Sequence, residues 1–385
     1  MLRLSRGLEN CFNVADVAEL ARRRLPRPIW NYLAGGADDE VSLGRNARSF
    51  EQFDLLPRML TDVSHIDPST TILGEPVKWP VLLAPTGMPA LLNGAGERAI
   101  ARAAARHGML YAVSTLASTT IEDIAAAAVG PKCFQVYILR NKSITEELVD
   151  RARQAGFTSL CLTVDSVVGG NRERDWRSGM TMPPRLTLPN LVDVLLHPRW
   201  LAQYLLTPRL HFANVEKHFT SGDRGNMVRF LGSQFATNIT WSDLECLAKR
   251  WNGPIAVKGM MTGVTARQAV DAGATALVIS NHGGRQLDRT PAPIEMLPEV
   301  VAAVAGRAEV LVDGGIRRGT DIVTAISLGA KACMIGRPFL YGLAAGGEAG
   351  VDRVLALLAG ELTRCMTLMG CPTLRDLGQG CVRRR

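Results

Sequence analysis

The chain has 385 residues, 47% of them hydrophobic, with 37 glycines, enough for one large α/β barrel or two ordinary domains and unlike any collagenous or disordered composition. Basic residues outnumber acidic ones 44 to 36, a net charge of +8, which favours an anionic partner: a substrate, a cofactor phosphate or a membrane surface. Charge is all that speaks for nucleic acid, because no face interleaves aromatic with basic residues, so none is expected as a partner.

Met1 to Gly7 lack the apolar core of a signal peptide, and no stretch approaches the roughly 18 apolar residues of a spanning helix. The eight cysteines form no CxxC pair, and Cys133, Cys161 and Cys333 lie in apolar runs; they read as buried, reduced thiols of a cytoplasmic protein. No residue set is assigned to a metal. Asn13-Val14-Ala15-Asp16 looks like a helix start, followed by an amphipathic helix to Arg24. Trp30 to Ala37 reads as a helix end with Tyr32 as a core aromatic.

Eight short apolar runs follow, each ending in polar or glycine residues: Val81–Ala84, Leu110–Ser114, Cys133–Tyr137, Leu160–Asp165, Ile255–Lys258, Leu277–Ser280, Val310–Asp313 and Cys333–Gly336. Alanine-rich helical stretches separate them, among them Gly96–Arg106, Glu146–Ala155 and Thr265–Ala272. The pattern predicts an α/β protein of the closed (β/α)8 TIM-barrel class, with an N-terminal helical segment. Residues 1–385 are expected to be a single domain, with the barrel over about 80–345. The runs start at intervals of 29, 23, 27, 95, 22, 33 and 23 residues, so a long insertion follows the fourth strand.

That insertion spans about 177–235 and contains Pro183-Pro184 and the patch Leu191–Trp200 followed by Leu201–Leu206; its seven basic and three acidic residues give +4. Mixed apolar, tryptophan and arginine content fits a segment lying in a membrane interface, and equally a lid or an oligomer contact. Gly350–Met369 reads as the last helix.

Barrels of this class build their active site at the carboxyl ends of the strands. Those ends supply Pro85, Thr86 and Gly87, then Ser114, Gln135 and Tyr137, Thr163 and Asp165, and Lys258. They continue with Ser280, His282 and Arg285, with Asp313, Gly314, Gly315, Ile316 and Arg317, and with Gly336 and Arg337. His282 can move a proton near neutral pH, and Arg285 beside it can grip a carboxylate in two places. Glycines and arginines after strands seven and eight form a phosphate site, so a phosphorylated cofactor is expected. Ser114, Gln135 and Thr163 can satisfy loop backbone singly; together they suit the edge of a planar heterocycle. Lys258 leaves an apolar strand and needs an anionic partner if buried; a reduced flavin would be one.

The string Ser280-Asn281-His282-Gly283-Gly284-Arg285-Gln286-Leu287-Asp288, with these strand ends, resembles the FMN-dependent 2-hydroxy acid dehydrogenases and oxidases, which include glycolate oxidase, L-lactate dehydrogenase and (S)-mandelate dehydrogenase. The resemblance runs from about Phe12 to Gly370. Through Asn171-Arg172-Glu173-Arg174-Asp175 and His197-Pro198-Arg199-Trp200 it is nearest to the membrane-associated mandelate dehydrogenases. It implies FMN held by Pro85, Thr86, Gly87, Ser114, Gln135, Thr163, Lys258, Ser280, Asp313 to Arg317, Gly336 and Arg337. A small 2-hydroxy acid would be held by Tyr32, Tyr137, Arg172, His282 and Arg285. The implied roles make His282 the base, Asp165 the stabiliser of its imidazolium, Tyr137 a donor to the substrate oxygen, and Lys258 a partner of the reduced flavin. The proton taken is either the α-proton or the hydroxyl proton beside a hydride transfer.

Gly87 stands where the family's oxidases commonly carry alanine, which implies a dehydrogenase using a quinone or other membrane acceptor. Leu116 and Gly169 replace bulkier pocket residues of glycolate oxidase, which implies a roomier pocket for an aromatic or longer acid. No cytochrome domain precedes the barrel, so no haem-fused electron path is expected. The family also implies a homotetramer, and the insertion implies peripheral contact with the inner face of the cell membrane. The alternatives are an oxygen-using oxidase releasing hydrogen peroxide and a non-catalytic phosphate-binding barrel scaffold.

Overall fold

Asn13 starts helix α1 (Val14–Arg24) by accepting the Asp16 N–H at 2.9 Å, as an N-cap should. The computed structural model describes residues 7–180, 187–207, 212–218 and 234–385. Helices α2 (Arg27–Ala34) and α3 (Val41–Arg48) follow, then a short hairpin, Thr70–Ile72 with Glu75–Val77. Alternation then begins: β1 (Val81–Leu83), α4 (Gly96–Arg106), β2 (Tyr111–Ser114), α5 (Ile121–Ala127), β3 (Lys132–Val136), α6 (Lys142–Gln154) and β4 (Ser159–Thr163). Helices α7 (Glu173–Arg177), α8 (Leu188–Leu195), α9 (Pro198–Leu206) and α10 (Trp241–Trp251) separate β4 from β5 (Ile255–Met260). The chain continues through α11 (Gly263–Asp271), β6 (Ala276–Ile279), α12 (Pro293–Val304), β7 (Glu309–Asp313), α13 (Gly319–Ser327), β8 (Ala332–Ile335) and α14 (Arg337–Leu368).

Strands β1 to β8 close in chain order into one parallel barrel, as the eight apolar runs predict. Covered on both faces, such strands are apolar throughout rather than alternating. Inside the barrel, small side chains (Ala112, Cys133, Cys161, Ala256, Ala276, Ala332) interleave with Leu82, Val278, Leu311 and Met334. Ile72 and Val77 of the hairpin join this cluster, while the Leu73 N–H reaches Glu309 at the start of β7, so the hairpin plugs the amino-terminal end. The buried cysteines are free thiols.

Two helices start earlier than the sequence reading has them, α11 at Gly263 rather than Thr265 and α6 at Lys142 rather than Glu146. Helix α6 begins four residues early, because Asn141 caps it through the Ser143 N–H at 3.2 Å. Span α14 is two helices meeting at a kink where Gly346 and Gly347 (φ 61) leave helical geometry; the second, ending at Leu368, is the last helix the sequence predicts, and the first, from Arg337, was not foreseen. Within the insertion, Pro183-Pro184 lies outside the described residues. The Leu191–Trp200 patch is two helices, α8 and α9, divided before Pro198, where proline fits the first helical turn and could not continue the preceding helix. Trp200 Nε1 donates to the Leu91 carbonyl at 3.0 Å and Asn190 Nδ2 to Ser178 O at 3.0 Å, which ties both helices to the body.

Candidate active site

Strand register sets the site. Ser114 lies opposite Gln135 and Thr163 opposite Lys258, so polar residues gather at the carboxyl ends of four successive strands. Gln135 is oriented by its carbonyl oxygen, which accepts from Ser114 Oγ at 3.1 Å and the Thr115 N–H at 3.3 Å. Its Nε2 then faces away and has no partner.

Lys258 is buried and reaches Ser280 Oγ at 2.8 Å and Asp313 Oδ2 at 3.0 Å, while Ser280 Oγ donates to the same Asp313 oxygen. Burial alone would lower its pKa, but the Asp313 and Asp165 carboxylates more than offset that and raise it. Lys258 is therefore a fixed cation at neutral pH. After Lys258 the β5–β6 register shifts, and Gly259 takes φ +108. A Cβ there would stand 2.8 Å from Asp165 Cβ, so only glycine lets β5 bulge against that aspartate.

His282 follows in the loop after β6 with φ +57, a conformation non-glycine residues seldom adopt. Ser280 Oγ accepts its backbone N–H at 3.0 Å and steadies the turn. Its Nδ1 lies 2.9 Å from Asp165 Oδ1. Burial pushes the Asp165 carboxyl up, but the His282 and Lys258 charges and the Ser166 hydroxyl bring it down to about 2. An ionised carboxylate only accepts, so Nδ1 carries a proton, and in the neutral imidazole it is Nε2 that holds the free lone pair. That is the tautomer a general base needs.

Arg285 is held by the Tyr32 carbonyl at 2.7 Å and the Gly35 carbonyl at 3.1 Å, and its guanidinium stands 5.2 Å from the Tyr32 ring centre. Burial and the like charge of Arg172 both lower its pKa. Arg172 donates from Nε to Asp175 at 2.9 Å, and the two arginines thus share one cationic corner. Tyr32 OH lies 3.5 Å from the Gly87 carbonyl. Burial pushes the Tyr137 phenol up to about 12, so it stays a proton donor through neutral pH.

Arg337 spends three donors on backbone: Leu33 O at 3.2 Å, Gly283 O at 2.9 Å and Gly35 O at 2.8 Å. Burial drives its pKa down to about 9, with Arg285 and Arg317 adding repulsion. Arg317 donates to its own neighbour, the Ile316 carbonyl, at 2.7 Å. Among the described residues neither arginine makes a salt bridge, Glu40 and Asp321 acting on the Arg337 and Arg317 guanidinium groups only through their charge, and Arg337 also stitches the N-terminal segment to the His282 loop.

The residues present fit a flavin mononucleotide. Among the described residues, Thr86 Oγ1, Gln135 Nε2, Thr163 Oγ1 and Asp313 Oδ1 are buried polar atoms without partners, an arrangement that folding alone leaves costly. All four lie at strand carboxyl ends, as do Arg317 and Arg337, which have no salt bridge among the described residues. A planar ring with a hydrogen-bonding edge and a phosphate would satisfy both.

Sequence reasoning missed the polar residues that hold this site together. Gln286 donates to Asp165 O at 3.1 Å and accepts the Gly170 N–H at 2.6 Å, pinning the loop after β4. Asp288 caps α3 by accepting the Val41 and Ser42 N–H groups at 3.2 and 2.7 Å, and Asn281 pairs both ways with Asn46 at 2.8 Å. A Cβ on Gly284 (φ +74) would stand 2.5 Å from Leu43 N, so the His282 loop presses directly onto α3. These residues stand inside the conspicuous Ser280–Asp288 string, but a single sequence does not say what they touch. Ser166, beside Asp165, gave no signal.

Residues 21–384 match the family described as FMN-dependent dehydrogenase. The chain is 42% identical over 373 residues to a putative L-lactate dehydrogenase of Mycobacterium tuberculosis, covering 97% of this chain and 89% of that protein. It is also 42% identical over 377 residues to an L-lactate oxidase of Nostoc sp., covering 96% and 98% of the two. The solved structure of (S)-mandelate dehydrogenase, described as a monotopic membrane protein, superposes with a TM-score of 0.93 at 36% identity and covers 98% of this chain and all of that one.

Proposed function

This chain belongs to the FMN-dependent dehydrogenase family, and we propose that it oxidises an (S)-2-hydroxy acid with an aromatic or longer side chain and passes the electrons to a quinone-type acceptor. FMN-dependent oxidation of a 2-hydroxy acid is the common ground of the family and its relatives, which sets aside a non-catalytic scaffold. FMN, when bound, supplies the two-electron acceptor.

The observation that carries the site reading is the His282 Nδ1–Asp165 Oδ1 contact at 2.9 Å beside Arg285. Arg285 and Arg172 fix the substrate carboxylate and convert part of the barrier into prearranged geometry. His282 Nε2 receives the proton released at the substrate C2–OH unit, and Asp165 stabilises the imidazolium that results. Tyr137 and Tyr32 donate to substrate oxygens as charge develops. Thr86, Gly87, Pro85, Ser114, Gln135, Thr163, Lys258, Ser280, the Asp313–Arg317 loop, Gly336 and Arg337 would hold the cofactor.

Three features support the finer reading. Gly169 is exposed and a Cβ there would meet nothing within 4 Å, so this position adds no bulk against a longer acid. Gly87 has no methyl beside the flavin site, as in the family's dehydrogenases. Helices α8 and α9 turn Leu188, Leu196, Leu205 and Leu206 outward, 71 to 85% exposed, while Trp200 anchors them from below. No described helix is long and apolar enough to cross a membrane, so contact would be peripheral, through this apolar face. A homotetramer is the assembly the family implies.

An oxygen-using oxidase is the second reading, favoured by the Nostoc relative. Both are tested by mixing FMN-loaded protein anaerobically with (S)-mandelate, L-lactate and glycolate, then assaying a soluble quinone against oxygen. Fastest reduction by mandelate and slow oxygen uptake support the first reading. A preference for glycolate, or oxygen uptake that matches quinone reduction, overturns the corresponding part.

A further inference from the structure

We infer that Ser166 is a positioning residue that holds the Asp165 carboxylate in register with His282. Ser166 follows Asp165 in the loop after β4 and is 8% exposed. Its Oγ lies 3.1 Å from Asp165 Oδ1 and 3.3 Å from His282 Nδ1. A serine hydroxyl has one proton to give and two lone pairs to offer. Because Asp165 is ionised, the proton goes to Oδ1, the same oxygen that takes the His282 Nδ1–H. A lone pair faces the imidazole N–H. One hydroxyl therefore touches both members of the acid–base pair.

The other carboxylate oxygen makes the role necessary. Asp165 Oδ2 is buried and unpartnered, so both side-chain hydrogen bonds to this carboxylate converge on Oδ1. Remove Ser166 and one of the two is gone, leaving His282 alone to set the carboxylate's rotation. The facing groups are the His282 imidazole, the Lys258 cation, the Tyr137 phenol and the Cys161 thiol. Lys258 would draw the loosened carboxylate away from the imidazole, and Nε2 would lose its aim. A misaimed base costs rate without costing substrate affinity.

The inference rests on the proposed role of His282, and the test separates the two. Ser166→Ala, Ser166→Thr and the wild type are compared as holoproteins. Melting temperature, visible flavin absorbance and the affinity for oxalate, read from the flavin spectrum, report fold and binding independently of turnover. Anaerobic reduction by the best 2-hydroxy acid, with and without deuterium at C2, reports the chemistry.

The expected result for Ser166→Ala is a flavin-reduction rate lowered about ten- to a hundredfold, the range for losing a hydrogen bond to a charged group. KM and oxalate affinity stay near wild type, and the deuterium effect on turnover is at least as large. Ser166→Thr, which keeps the hydroxyl, restores most of the rate. A normal rate in Ser166→Ala, a threonine variant as slow as the alanine one, or a loss matched by weaker oxalate binding would overturn the inference. If the wild type itself is not reduced by any 2-hydroxy acid, the proposed function fails, and this inference with it.

Discussion

Asp165→Asn removes one charge from the site while keeping the shape of the side chain, and its effect can be sized from the structure. The Asp165 carboxyl sits at about 2 against an ordinary 3.8, so its surroundings favour the charged form by about 2 to 3 kcal/mol at 1.36 kcal/mol per unit. His282 provides the largest favourable share, with Lys258 and Ser166 adding to it. Reciprocally, Asp165 favours the imidazolium that forms when His282 takes the proton. Losing about 1 to 3 kcal/mol of that help predicts a fall of roughly 5- to 150-fold in the reduction rate. If the amide turns its NH2 toward Nδ1, it forces the proton onto Nε2 and blocks the base outright, so the loss would be larger. Anaerobic stopped-flow reduction at saturating substrate measures this directly, with KM near wild type because Arg172 and Arg285 are untouched. A variant reduced within about twofold of the wild-type rate, or one impaired only in KM, would refute the pairing of Asp165 with the base.

Lys258→Met should lower the melting temperature and release FMN, because Asp313 then stands buried without its cation at a cost of about 3 to 5 kcal/mol; adding Asp313→Asn should recover part of the stability. A single variant that melts like wild type contradicts the buried pair at 3.0 Å. Gly87→Ala should fold normally, since the new Cβ would lie 3.5 Å from Leu116 Cβ, an ordinary contact. Its oxygen uptake should rise above the wild-type rate, and unchanged uptake in an oxygen electrode would remove Gly87 as the reason for poor oxygen use. Leu196→Glu with Leu206→Glu should abolish cosedimentation with anionic lipid vesicles while leaving activity toward a soluble acceptor unchanged; equal cosedimentation would refute the apolar face as the contact.

The eight strands were legible because strands covered on both faces must be apolar along their whole length, and each such run ended where a polar residue met the barrel mouth. His282 and Arg285 were legible because their chemistry is rare and their placement after a buried strand was plain. What stayed hidden depends on contacts far apart in the chain. Arg337 looks like a phosphate ligand in sequence, yet three of its donors close on the carbonyls of Leu33, Gly35 and Gly283. Gln286 and Asp288 act on loops more than a hundred residues away, and Ser166 gains meaning only from the hydroxyl's distances to Asp165 and His282. The helical piece of α14 before Gly346-Gly347 was missed for a local reason, since glycine pairs inside an alanine-rich stretch do not say which side of them is helical.

The most direct measurement is anaerobic mixing of the FMN-loaded wild type and His282→Ala with an (S)-2-hydroxy acid, followed by visible absorbance. The wild type should bleach as its flavin is reduced, and His282→Ala should stay yellow with its flavin still bound. Bleaching of His282→Ala at the wild-type rate would contradict His282 as the base, and a wild type that no 2-hydroxy acid bleaches would contradict the account as a whole.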